Sequence, residues 1–385
     1  MQVGYPSVVS TSQPHDSRAT PLSKERQRPE TSASSYAEAG VDLDRDEGFV
    51  SEIAEITRPT QRPEILSSIG GFAGLFKAPE RYKNPIFVAC NDGVGTKLKL
   101  AAELGRYDTV GIDCVAMVVN DMIVQGAEPV VFLDYLAMSS LDTEIARQAL
   151  RGIAEGCRRA GCGLLGGETA SMPGIYQEGD IELVGMGVGV VEREKVIDGS
   201  TISNGDTVLG LASSGCHSNG FSLIRKILES AVESEALDLR GQNDELNTSV
   251  GGALLTPTRI YVKPILNVLR DFTVKGMVHI TGGGFVGNLP RVLPKSVRVR
   301  IDPLAWSRPP IFGLLQRLGG IGDDEMLRVF NCGIGMALIV EPEQADDISE
   351  RLFAHGERAY PIGEVETKGG DEPQLLFDPG SMKTG

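Results

Sequence analysis

The chain has 385 residues, of which 41% are apolar, and its formal net charge at pH 7 is −15. A chain of this length can bury a large core and predicts two or three domains. The acidic excess argues against a nucleic-acid-binding surface, which is usually basic, and no apolar stretch approaches the roughly 20 residues of a membrane-spanning helix. The six scattered cysteines indicate a reduced, soluble, cytoplasmic protein, whose partners are expected to be small molecules.

The first 34 residues are predicted to be an extension without a fold. They are rich in Ser, Thr, Pro and Gln and lack apolar periodicity, a composition typical of disordered segments. A transit peptide would be richer in arginine, poorer in acidic residues and amphipathic. An untargeted tail is therefore the preferred interpretation, and a transit peptide is the alternative.

The next part of the chain alternates between predicted strands and helices. Apolar runs predict a long central strand and two others, at residues 181–191, 86–90 and 130–136. Apolar residues at helical spacing, each time followed by a glycine, predict helices at 108–125 and 141–160. The polar segment 198–206 is predicted to be the boundary between two domains.

The segment after the first apolar run combines groups suited to phosphate and metal binding. It contains a carboxylate, two glycines, a hydroxyl and an amine, from Asp92, Gly93, Gly95, Thr96 and Lys97. Glycines let backbone N–H groups approach an anion, the lysine adds a charge, and the aspartate can hold the magnesium that accompanies a polyphosphate. The spacing is not that of a Walker A loop, so the sequence predicts a nucleotide site of another kind.

The helix at 108–125 carries two carboxylates on one side. Asp113, Met117 and Asp121 are four residues apart, which places Asp113 and Asp121 on the same face. An aspartate on an apolar helix is often a capping or solvated residue. With Asp92 one strand earlier, a shared cation is the preferred interpretation.

The segment 166–169 allows two interpretations. A Gly-Gly pair usually makes a turn, yet Glu168 and Thr169 follow it directly and could both act as oxygen ligands. The sequence favours neither.

The second half of the chain also alternates between predicted strands and helices, which predicts two α/β lobes. Strands are predicted at 207–211, 277–280, 297–301 and 333–340, and helices at 220–231, 257–270 and 309–318, before a final helix and strand.

Two glycine-containing loops follow strands of this half. In the first, Ser214, His217 and Asn219 precede a helix, so the loop is a candidate anion site. His217 is either structural or an acid, base or charge stabiliser, and a nucleophilic role for its neighbour Cys216 is disfavoured. The second loop, Thr281 with Gly282, Gly283 and Gly284, indicates the close approach of a ligand or another backbone.

These segments resemble one family. Together with residues 35–42, 70–72, 126–129, 257–263 and 331–333, they occur in the same order in phosphoribosylformylglycinamidine cyclo-ligases, also called AIR synthetases, over about residues 35–365. The resemblance implies an α+β fold of two α/β lobes, with N-terminal lobes that pair in a homodimer to form a shared β-barrel. The implied divisions are an extension at 1–34, domains at 35–198 and 199–366, and a tail at 367–385.

The resemblance also implies the reaction and the roles of residues. Formylglycinamidine ribonucleotide and ATP would give 5-aminoimidazole ribonucleotide, ADP and phosphate in de novo purine biosynthesis, with the formyl oxygen attacking the γ-phosphate first. His217, Lys97 and Asp121 would be catalytic, and magnesium would bind Asp92, Asp121 and Glu168. The implied nucleotide contacts are Asp92, Gly93, Gly95, Thr96, Lys97, Asn120, Glu168, Thr169, Ser214, Asn219, Thr281, Gly282 and Gly283.

Departures from the family pattern are few. Ser171 stands where glutamate is common, Cys216 where proline is common in bacteria, and Ala73 where glycine is common. Rival interpretations are a selenophosphate synthetase, a thiamine-phosphate kinase, a hydrogenase-maturation protein or a catalytically silent nucleotide-binding subunit. The glycine-rich loop at 70–74 lacks the cysteine that the first of these uses, and the intact polar residues argue against the last.

Overall fold

A computed structural model of the chain describes residues 52–233 and 237–379. The predicted N-terminal extension lies outside these residues. Within the described ranges, no helix is both long and apolar enough to cross a bilayer.

The N-terminal lobe is a four-stranded sheet with helices packed on one face. Its strands are β1 (Pro85–Gly93), β2 (Glu128–Met138), β3 (Gly163–Ser171) and β4 (Ile181–Glu192), arranged in the order β1-β4-β2-β3. Only β2 and β3 run parallel to each other. Its helices are α1 (described over 52–57), α2 (Lys97–Leu104), α3 (Asp108–Ile123) and α4 (Thr143–Ala160).

Helices α3 and α4 pack unusually closely because glycines face each other. A Cβ added at Gly111 of α3 would lie 2.1 Å from the Ala149 carbonyl oxygen, and one added at Gly152 of α4 would lie 2.1 Å from that of Asp108. Almost every residue of α3 is buried as a result. A polar side chain on α3 must therefore find a partner inside the protein.

The other face of this sheet is only partly covered, by Ile65, Phe76 and Tyr82 packed against Val131, Leu165 and Val190. Phe87 of β1 is 55% exposed and Met186 of β4 is 46% exposed, although both lie within strands. An open apolar sheet face of this kind is typical of an interaction surface.

The C-terminal lobe contains a six-stranded sheet in the order β12-β9-β11-β5-β10-β8. The strands are β5 (Thr207–Ala212), β8 (Gly276–His279), β9 (Val297–Ile301), β10 (Ile334–Val340), β11 (Ala359–Thr367) and β12 (Leu375–Phe377), and a separate pair comprises β6 (Gln242–Asn243) and β7 (Thr248–Ser249). Strand β12 pairs with β9, so part of the predicted C-terminal tail belongs to the sheet.

Helices connect these strands. They are α5 (Phe221–Glu233), α6 (Val250–Leu254), α7 (Val262–Asp271), α8 (Gly284–Asn288), α9 (Pro310–Gly319), α10 (Asp323–Val329) and α11 (Ala345–Ala354). All seven residues of β10 are buried. The core of this lobe therefore lies around β10 and its neighbour β5.

Most predicted elements are confirmed to within a few residues, but one predicted helix starts too early, and one of the two interpretations left open for residues 166–169 is excluded. The helix predicted at 257–270 begins only at Val262, because residues 257–261 bind side chains of the other lobe. Residues 166–169 do not form a turn, since they lie inside β3 and pair with β2.

Candidate active site at the junction of the two lobes

Asp92 and Asp121 approach each other where the two lobes meet. Burial raises the pKa of Asp92, the N–H of Gly93 lowers it through a 2.7 Å hydrogen bond to Oδ1, and the negative charge of Asp121 raises it again. The Asp121 side chain is 44% exposed, and its Oδ1 lies 2.8 Å from Nδ1 of His279. Two neighbouring carboxylates, one of them partly exposed, favour the binding of a cation between them.

The predicted third ligand does not join this pair. Within residues 52–233 and 237–379, no group of three or more His, Cys, Asp or Glu side chains could hold a metal ion. Glu168 is exposed on β3. Two carboxylates still fit magnesium, because proteins commonly hold Mg²⁺ through one or two carboxylates and let substrate phosphates complete its shell.

Lys97 has partners other than the phosphate oxygens that the sequence predicts. Its side chain is fully buried, and its Nζ lies 2.7 Å from Asp113 Oδ2. It also donates to the carbonyl oxygens of His217 at 2.8 Å and Thr256 at 2.9 Å. An ammonium group has three protons, so these three contacts occupy it completely.

Asp113 binds this ammonium group and the other lobe, so it is not available to a metal ion. Its Oδ1 accepts from Thr258, at 2.7 Å from N and 2.5 Å from Oγ1. Burial raises the pKa of Asp113, whereas Lys97 and Thr258 lower it. The cation that the sequence suggested for Asp113 is the side chain of Lys97.

Asn120 makes a similar link between the lobes. It is buried, and its Nδ2 donates to the Arg259 carbonyl oxygen at 2.8 Å while its Oδ1 accepts from Tyr261 N at 3.0 Å. We call Lys97, Asp113, Asn120 and the segment 256–261 the interlobe clamp. The clamp uses one N–H and the oxygen of the buried Asn120 amide, a residue that the resemblance had assigned to nucleotide binding.

The loop at 213–220 is tied to the clamp through His217. This residue has a φ of 59°, in the left-handed region, and its carbonyl oxygen accepts from Lys97. Its ring is fully buried and Nε2 accepts from Ser214 N at 3.2 Å. Burial lowers the pKa of His217 well below its usual value, with nearby His279 and Lys97 acting in the same direction, so the ring is neutral.

The neighbouring residues of this loop also form hydrogen bonds with backbone groups of other segments. Ser214 Oγ donates to the Pro257 carbonyl oxygen at 2.6 Å, and Asn219 Oδ1 accepts from Gly282 N at 3.0 Å. Thus Asn219 links the 213–220 loop to the glycine loop that follows β8. The two loops therefore lie side by side. At their contact, Asn219 is partly exposed and Gly282 is exposed.

Two groups complete the junction. Thr96 Oγ1 lies 3.2 Å from Ser222 Oγ of the other lobe, and both Gly95 and Thr96 are exposed. Asn288 Nδ2 donates to the carbonyl oxygens of Gly284 at 2.7 Å and Thr281 at 3.3 Å. The exposed glycines offer backbone N–H groups that an anion could approach.

Sequence reasoning missed His279, Asn288 and Thr258 as contributors to this junction. His279 ends β8 directly before the glycine loop, and a histidine at that position was the available signal. Thr258 and Asn288 gave no local signal, because their partners depend on how the chain folds.

Comparisons with known proteins agree with this architecture. Residues 78–191 match the N-terminal domain of AIR synthase related proteins, and residues 203–375 match their C-terminal domain. The phosphoribosylformylglycinamidine cyclo-ligase of Nitrosospira multiformis is 50% identical over 370 residues, covering 96% of this chain and 100% of the relative. That of Burkholderia mallei is 52% identical over 348 residues, covering 90% and 97%.

Solved structures with a similar fold are more distant in sequence. A thiamine-monophosphate kinase from Stenotrophomonas maltophilia aligns with a TM-score of 0.62 at 18% identity, covering 86% of this chain and 95% of that one. The hydrogenase maturation protein HypE in complex with ATP aligns with a TM-score of 0.63 at 16% identity, covering 86% and 90%. At these identities the alignments show a common fold alone.

Proposed function

The chain belongs to the phosphoribosylformylglycinamidine cyclo-ligase family, and we propose that the junction of its lobes is where it carries out that ring closure. It is an ATP-dependent ligase of purine biosynthesis that makes aminoimidazole ribonucleotide. The pairing of Asp92 with Asp121 beside two glycine-containing loops is the observation that supports this location.

The chemistry explains what the junction must provide. A formyl oxygen is a poor leaving group, so it first attacks the γ-phosphate of ATP and ADP departs. A nitrogen of the substrate then attacks the formyl carbon, and the oxygen leaves as inorganic phosphate. The protein has to stabilise the transferring phosphoryl group and hold both substrates in position.

Asp92 and Asp121 would hold magnesium, because they are the two carboxylates that meet at the junction. When bound, the metal neutralises the charge of the phosphate groups. Thr96 would bind the same phosphates, and the backbone N–H groups of the exposed residues Gly95 and Gly283 would orient them. The N–H groups of Gly93 and Gly282 already donate to Asp92 and Asn219. Ser214, Asn219 and Thr281 would keep the two loops in place.

Lys97, Asn120 and His217 would position other groups rather than contact the substrates. They join the lobes and the 213–220 loop to each other, so they fix the distance between groups that bind the two substrates. Preorganisation of this kind contributes to rate without contact between these side chains and the substrate.

A homodimer accounts for the open face of the N-terminal sheet. Two such faces would close into a shared β-barrel, burying Phe87 and Met186. Strands β1 and β3 are the edges of the sheet, so a twofold axis along the barrel would bring β3 of one copy beside β1 of the other. Glu168 and Thr169 would then contribute to the second copy's nucleotide site.

We expect Phe87→Glu to convert a dimer into a monomer, because the new charge would be buried in the barrel. Sedimentation velocity measures this change. Phe353→Glu is the matched control, since Phe353 of α11 is 73% exposed on the other lobe. A Phe87→Glu variant that sediments like the unaltered protein would refute the barrel.

Product analysis tests the activity. Purified protein with magnesium, ATP and formylglycinamidine ribonucleotide should form equal amounts of aminoimidazole ribonucleotide, ADP and phosphate. Thiamine monophosphate serves as the control substrate and should not be phosphorylated. Absence of aminoimidazole ribonucleotide would overturn the assignment.

A further inference from the structure

His279 lies in an unusual position for a histidine. It ends edge strand β8, its side chain is 2% exposed, and its Nδ1 lies 2.8 Å from Asp121 Oδ1 of the other lobe. Among the described residues, its buried Nε2 has no hydrogen-bond partner. Asp121 is therefore the side chain to which this imidazole hydrogen-bonds.

The contact defines which group donates the hydrogen bond. A carboxylate only accepts hydrogen bonds, so Nδ1 must be the donor to Asp121. Oδ1 of Asp121 is then occupied, and Oδ2 remains for another partner. The backbone around His279 is held by the sheet, with Met336 of β10 opposite it and Ile280 N donating to Gly335 O at 2.9 Å.

We infer that His279 is a positioning residue that fixes the Asp121 carboxylate for magnesium binding from the opposite lobe. This inference rests on the proposed function of the junction. A metal-binding carboxylate usually has its second oxygen held by a hydrogen bond, and loss of such a partner weakens metal binding. The affinity for magnesium therefore depends on the alignment of β8 with α3.

Two substitutions separate positioning from packing. Asn places its side-chain N–H near the position of Nδ1, whereas Gln places it near the position of Nε2. We expect His279→Asn to keep metal affinity close to that of the unaltered protein, and His279→Gln to lower it by about 10–100-fold. His355→Gln is the control, because His355 is exposed at the end of α11.

The measurement is a calorimetric titration of Mg²⁺ into protein saturated with a non-hydrolysable ATP analogue, which requires no turnover. Urea unfolding without metal provides the second measurement, and the Asn and Gln variants should unfold alike there. Equal metal affinities of the two variants would overturn the inference. If the unaltered protein bound no Mg²⁺ at all, the proposed site itself would fail, which is a different result.

Discussion

We expect Asp121→Asn to lower kcat by about 10²–10³-fold, the usual cost of removing one preorganised electrostatic group from an active site. Asparagine has the same shape and its Oδ1 can still accept from His279 Nδ1, so the junction should keep its geometry. What is lost is the negative charge that a metal ion requires. Steady-state kinetics at saturating ATP measure kcat, and urea unfolding checks that the variant is folded.

Asp371→Asn is the matched control for this experiment. Asp371 is exposed in a turn far along the chain from the junction, and its substitution should change neither kcat nor stability. Near-normal turnover by the Asp121 variant would contradict the proposed role of Asp121 in binding a metal ion.

Lys97→Met should lower the free energy of unfolding by about 3–5 kcal/mol, the usual effect of removing one partner of a buried ion pair. Methionine has a similar length but no charge, so Asp113 would remain as a buried carboxylate beside Thr258. The carbonyl oxygens of His217 and Thr256 would lose their donor. Urea unfolding measures the effect directly.

Lys97→Met combined with Asp113→Asn should recover part of this loss, because the unpaired charge is then absent. Lys99→Met is the control, since Lys99 lies on the same helix with its side chain 47% exposed and such changes usually stay within about 0.5 kcal/mol. A Lys97→Met variant of normal stability but weak ATP binding would favour the phosphate contact that the sequence predicts.

Local patterns were sufficient to predict most of the scaffold. Helix α4 has Asp142 at its N-cap and Gly161 in the left-handed conformation at its end, and both signals are visible in the sequence. The apolar runs likewise identified β4 and β9. These elements depend on neighbours within a few residues, which is why periodicity and capping predict them.

The polar residues were harder to interpret because the same residue types bind phosphates and join lobes. Lys97 and Asp113 are paired with each other, and their further partners are Thr256 and Thr258, more than a hundred residues along the chain. A motif of glycines, an aspartate and a lysine does not reveal whether its charges face a ligand or the protein interior. Burial decides this, and burial depends on the tertiary fold.

The early start predicted for α7 has the same origin. Helical periodicity extends back to Pro257, yet Thr258 N and Tyr261 N donate to Asp113 and Asn120. With those bonds in place, the regular helix begins only at Val262. A contact between lobes thus overrides the local preference for a helix.

The junction of the two lobes is the proposed site of nucleotide binding and ring closure. A crystal structure with magnesium and a non-hydrolysable ATP analogue tests it most directly. We expect the metal to contact the carboxylates of Asp92 and Asp121, with the γ-phosphate between the 213–220 loop and the glycine loop after β8. Nucleotide bound elsewhere, with Asp92 and Asp121 free of metal, would contradict it.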